Sequence, residues 1–96
     1  MDVTELLAAK RQAILELAER NGVTTIRVFG SVARGDSRAD SDIDFLVEFS
    51  EERSLLDHSR LILDLEALLD HKVHVLTPGS LHHSIKDKVL REARPL

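Results

Sequence analysis

Apolar residues recur along the chain at two different spacings, and the switches between them mark out six elements. Over residues 2–21, Val3, Leu7, Ile14, Leu17 and Ala18 fall among charged positions at helical spacing, and Gly22 follows as a stop. Residues 24–29 are rich in β-branched and aromatic side chains and predict a short strand ending at Gly30. One helical turn fits residues 31–34, and residues 35–41 are polar enough to form a loop. A second strand is expected over residues 43–49. Ser54 is placed to cap a helix whose stripe carries Leu55, His58, Leu61, Ile62, Leu65, Leu68 and Leu69 and which ends near Asp70. Residues 72–76 predict a third strand, and Pro78, Gly79 and Ser80 a turn. The closing helix bears Leu81, Ile85, Val89 and Ala93.

The order helix, strand, strand, helix, strand, helix predicts an α/β (α+β) fold, a small mixed sheet of about three strands covered by helices. With 96 residues the chain has the length of a single domain, 1–96, and room for one modest core. Anything bulky must then be bound with help. A formal charge of −4 gives no general attraction to polyanions, so long duplexes are poor candidates. Trp and Tyr are absent, which removes the stacking platforms that readers of single strands use. There is no cysteine and hence no disulfide or thiolate zinc site, and neither a signal pattern nor a membrane-spanning run is present. A cytoplasmic protein is expected.

The chemistry gathers in VFGSVARGDSRADSDIDFLVEF, from Val28 to Phe49. On an extended segment residues i and i+2 share a face, so Asp42 and Asp44 stand side by side and repel. A divalent cation relieves that repulsion, because magnesium is commonly held by one or two carboxylates together with substrate phosphate oxygens. An isolated DxD is usually solvated surface charge. This one opens an apolar strand, so at least one carboxylate should be partly shielded.

Gly30 and Ser31 sit where the first strand turns, and a missing side chain there lets phosphate approach the backbone while the hydroxyl donates to it. Alone, a Gly-Ser pair reads more simply as a tight turn. In the spacing GSx10DxD, with the two strands adjacent, the loop brings the carboxylates back beside that turn. Arg34 lies in the same segment, with two uses of equal weight: neutralising charge on a triphosphate, or pairing at the surface with Asp36 or Asp40. Ser41 suits local hydrogen bonding that shapes the loop.

GSVARGDSRADSDIDFLV resembles the signature of the minimal nucleotidyltransferases, small members of the DNA polymerase beta-like superfamily, and the likeness continues through KVHVLTP to LREARPL. The resemblance implies the polymerase beta-like nucleotidyltransferase fold and AMP transfer from ATP. By that likeness Gly30 and Ser31 would hold the triphosphate, and Asp42 and Asp44 would hold magnesium or manganese. It further implies an antitoxin whose partner is a HEPN-domain toxin, an RNase modified on a tyrosine hydroxyl, in a hetero-oligomer.

His74 departs from the pattern: it stands where the family places a third carboxylate on the next strand. By alternation it still faces the DxD pair. Three consequences stay open: a general base for the acceptor hydroxyl, a softer ion such as manganese, or loss of the second metal. The last would leave a weakened enzyme, or a binding module that neutralises its partner by contact. A transferase for small-molecule hydroxyls ranks below both, because enzymes of that type are usually longer. His58 reads as a satisfied boundary histidine, His71 as a helix-end cap, and His82 and His83 as helix neighbours pointing different ways.

Overall fold

The computed structural model describes residues 2–38, 40–50 and 55–96. Its elements run α1 (Val3–Arg20), β1 (Val23–Phe29), α2 (Gly30–Arg34), β2 (Ile43–Phe49), α3 (Leu55–Leu69), β3 (Val73–Leu76), a 3-10 turn (Pro78–Ser80), α4 (His83–Glu92) and β4 (Arg94–Pro95). The four strands form one mixed sheet in the order β3-β2-β1-β4. β1 is antiparallel to both β2 and β4, while β2 and β3, joined through α3, run parallel.

Alternation along β2 separates two layers. Ile43, Phe45 and Val47 point to one face, where they join Val3, Leu7, Ile14 and Ala18 of α1 and Leu61, Leu65 and Leu69 of α3 in the main core. Leu46 points to the other face and packs with Phe29, Leu81, Val89 and Ala93 in a smaller cluster under α4. The first helix starts where the sequence suggests: the Asp2 carboxylate accepts from the Glu5 N–H at 2.8 Å, an N-cap bond. It stops at Gly22, whose φ of 80° is open to glycine. Buried Asn21 ties this end to α3, donating to Leu17 O at 2.9 Å and to Asp64 Oδ2 at 3.2 Å. No described helix is long and apolar enough to cross a membrane.

The structure corrects the expected pattern in four places. The sheet has four strands, not about three. β4 is two residues long and contains a proline, which removes an N–H and confines it to an edge, so no two-residue periodicity announces it. Leu55 is 85% exposed rather than part of the α3 stripe, because the buried line starts a turn and a half later, at Leu61. On α4, Leu81 is buried but precedes the helix, and Ile85 is 46% exposed; Val89 carries the packing. His82 and His83 do not point apart: His82 caps α4 through the Ser84 N–H, and the two rings stack with centroids 4.6 Å apart. The expected cap at Ser54 lies outside the described residues.

Phe45 is fully buried at the centre of the sheet, so Phe45→Ala should cost about 3–5 kcal/mol of a total near 5–15 kcal/mol. Urea unfolding should show its midpoint lowered by about 2–3 M at a slope near 1.5 kcal/mol/M. A shift under about 0.5 M would mean the ring is not packed as described.

Candidate active site

Strand register assembles the site. Phe29 pairs with Asp44, and Asp44 pairs with His74, so the end of β1, the start of β2 and the middle of β3 lie in one row. The neighbours of that row, Val28, Ile43, Phe45, Val73 and Val75, are buried in the main core. Alternation therefore turns Asp44 and His74 to the opposite face. Asp42 immediately precedes β2, and its Oδ2 lies 3.0 Å from His74 Nε2. Both of these side chains are nearly half exposed, at 46% and 45%.

Asp44 is less accessible, and burial raises its carboxyl above the ordinary value. Its neighbours pull both ways: His74 and Arg34 favour the charged form, while Asp42 and Glu92 oppose it. The like-charge conflict read from the sequence is thus present, with desolvation added to it. The pair fits a divalent cation, since two carboxylates facing one another without a full counter-charge are hard-oxygen donors. Among the described residues no three His, Cys, Asp or Glu side chains group as a metal site.

Gly30 is required twice over. Its φ is 70°, and a Cβ at this position would run into the Asp44 carboxylate. The backbone of the GS turn therefore lies directly against the second aspartate. Phe29 gives α2 no side-chain cap, and the Gly30 N–H donates to Glu92 Oε1 at 3.0 Å. Arg34 Nη1 donates to the same oxygen at 2.7 Å, and its Nε to Asp36 Oδ2 at 3.2 Å. Hydrogen bonding to Asp36, opposed by burial and helped by the charges of Asp36 and then Glu92, raises the guanidinium pKa above its ordinary value. Arg34 thus makes the Asp36 pairing weighed from the sequence, while remaining one turn from Gly30. Ser31, partly buried, follows Gly30 in the first turn of α2.

Glu92 was not singled out from the sequence. It stands 62 residues from Gly30, in no motif whose spacing points to the GS turn. Ser41 closes the loop before Asp42: its Oγ accepts from the Arg38 N–H at 2.7 Å and its N–H donates to Arg38 O at 3.0 Å. His58 is satisfied elsewhere, bonded through Nε2 to Val75 O at 2.8 Å and packed on Phe49. His71 bonds the Leu69 carbonyl through Nδ1 at 2.8 Å, at the end of α3.

Two of the surface hollows are lined by described residues other than Asp42, Asp44 and His74. One, of about 310 Å³, is apolar and lies between α1, α2 and β4 around Leu7, Val28, Val32 and Pro95. The other, of about 280 Å³, lies beside Thr24 and Glu19. Asp42 and His74 are instead nearly half exposed at the surface, with Asp44 less accessible between the strands.

Comparison with known proteins identifies the family. Residues 10–96 match the family described as nucleotidyltransferase domain. Protein adenylyltransferase MntA of Thermococcus cleftensis is 44% identical over 91 residues, covering 95% of this chain and 89% of its own length. A solved structure described as a candidate minimal nucleotidyltransferase is 52% identical, with a TM-score of 0.88 over 100% of this chain and 97% of that one. At 20% identity, where only the fold is shared, a complex of a tri-AMPylated Shewanella oneidensis HEPN toxin with its MNT antitoxin gives a TM-score of 0.69, covering 92% and 69%. The match over nearly the whole chain, on a sheet that sets a GS turn against a DxD pair, shows that this protein belongs to the nucleotidyltransferase domain family, among its minimal members.

Proposed function

We propose that the protein transfers AMP from ATP to a tyrosine hydroxyl of a HEPN-domain toxin, in the presence of magnesium or manganese, and thereby acts as its antitoxin. The observation that carries this reading is the close approach of Gly30 to Asp44, which sets a turn without a side chain directly beside a partly desolvated carboxylate. The name protein adenylyltransferase and the AMPylated HEPN toxin bound to an MNT antitoxin, among the similar proteins, support the donor and the partner. We assign the reaction to the cytoplasm, where ATP and magnesium are both at hand.

On this reading the Gly30 and Ser31 backbone and the Ser31 hydroxyl hold the triphosphate, and Arg34 offsets its charge. Asp42 and Asp44 hold the cation, which when bound neutralises charge on the triphosphate and the departing pyrophosphate. The acceptor oxygen attacks the α-phosphorus, a P–O bond to AMP forms, and the bond to pyrophosphate breaks. His74 takes the hydroxyl proton: with Nε2–H donated to Asp42, Nδ1 keeps a free lone pair. Asp42 fixes that tautomer much as carboxylates orient other catalytic imidazoles. The near-half exposure of Asp42 and His74 suits a protein acceptor, whose side chain can reach them from outside the chain.

Purified chain and HEPN partner, incubated with labelled ATP and either metal, should yield AMP on the partner. Asp44→Asn should lower that transfer by about 100-fold or more, and His74→Ala by about 100-fold. Full activity in His74→Ala would remove the proton-acceptor role, and a stable complex that never carries AMP under either metal would sink the enzymatic reading. His74→Asp restores the acidic pattern of the family and should support transfer with magnesium, with its pH profile displaced from that of the parent.

The raised Asp44 carboxyl also sets a stability test. Its contribution is complete below the ordinary value of 3.8 and is lost as pH rises through the higher folded value, so the ionised group opposes folding at neutral pH. Without divalent cation, Asp44→Asn should melt above the parent at pH 7, and the gap should close toward pH 4. Adding magnesium and ATP should reverse the order, because only the parent gains ligand stabilisation. Asp44→Asn melting lower than the metal-free parent at pH 7 would contradict the desolvated site.

A further inference from the structure

Glu92 ends α4 and is well covered, with its side chain 17% exposed. One of its oxygens, Oε1, accepts from the Gly30 backbone N–H at 3.0 Å and from Arg34 Nη1 at 2.7 Å. An anionic oxygen held between a backbone amide and a guanidinium has the same bonding as a phosphate oxygen. The carboxylate also lies close enough to Asp44 to oppose its ionisation. Three acidic groups, Asp42, Asp44 and Glu92, thus share a region in which Gly30, Arg34 and His74 lie against them.

We infer that Glu92 is an internal stand-in for nucleotide phosphate: it fills the Gly30–Arg34 position in the free protein and must leave when a triphosphate binds, so it sets nucleotide affinity. This rests on the reading above, that the triphosphate lies against Gly30, Ser31 and Arg34. Two anionic oxygens do not share those two donors without strong repulsion, so phosphate entry requires the Glu92 carboxylate to swing out. The swing is mechanically connected. Glu92 is followed at once by buried Ala93 and by β4, whose residues pair with Arg27 and Val28 of the strand that leads into Gly30. Nucleotide binding therefore loosens the junction of α4 and β4, and the surface of α4 reports whether the site is loaded.

The opposite role, a carboxylate that braces Gly30 and Arg34 for ATP, uses the same contacts and predicts the opposite sign. Titration of the full chain with ATP and magnesium separates them. Glu92→Gln keeps the shape and removes the charge, and it should bind ATP about tenfold more tightly than the parent. Glu92→Asp, one methylene shorter, serves the same purpose if the glutamine variant does not fold, and should also bind more tightly. In the parent, amide exchange over residues 83–95 should quicken on saturation with ATP, and in Glu92→Gln it should change little. Weaker ATP binding by either variant, or unchanged exchange in the parent, overturns the stand-in. Equal binding by parent and variants overturns it while leaving the nucleotide site intact; ATP bound by none of them overturns both.

Discussion

The structure depends on one register, the antiparallel pairing that places Phe29 across from Asp44. Because β1 ends at that pair, the chain must turn at the next residue, directly against the Asp44 carboxylate, and only glycine has the space and the left-handed backbone to do so. The parallel pairing of β3 then sets His74 on the other side of Asp44. Three groups from three distant stretches of chain are brought together by hydrogen bonds between strands, and the buried Ile43, Phe45 and Val47 hold β2 in place from below. The electrostatic cost of crowding acids is thus offset by packing on the reverse face of the same strand.

That division of labour explains what could be read from the sequence. The core stripes of α1 and α3 and the β-branched runs are local patterns, so element order and the mixed sheet were legible, and so was the facing of His74 toward the DxD pair. What escaped was either too short or too distant. β4, with two residues and a proline, has no period. Leu55 and Ile85 have helical spacing but sit on first turns that stand clear of the core, and spacing says nothing about where the core stops. Glu92 is a tertiary contact between the last helix and the first turn. A lone glutamate at a helix end looks like solvated charge until the fold closes around it.

The two faces of the sheet carry different burdens. The face under α1 and α3 holds the larger apolar cluster and supplies most of the burial that the chain needs. The face under α4 holds a smaller cluster, with Leu46, Val89 and Ala93 beside a row of charged and polar groups. Asp42 and His74 in that row stay nearly half exposed, where a group from outside the chain can reach them.

The pairing of Gly30 with Asp44 also makes function a gauge of folding fidelity. A slip of one residue between β1 and β2 would exchange the two faces of β2, sending Asp44 toward the leucines of α3 and Phe45 toward water. It would also bring a side chain where only glycine fits. A mispaired molecule would bury the Asp44 charge without a partner, so the same carboxylate that serves the site also penalises a wrong strand alignment.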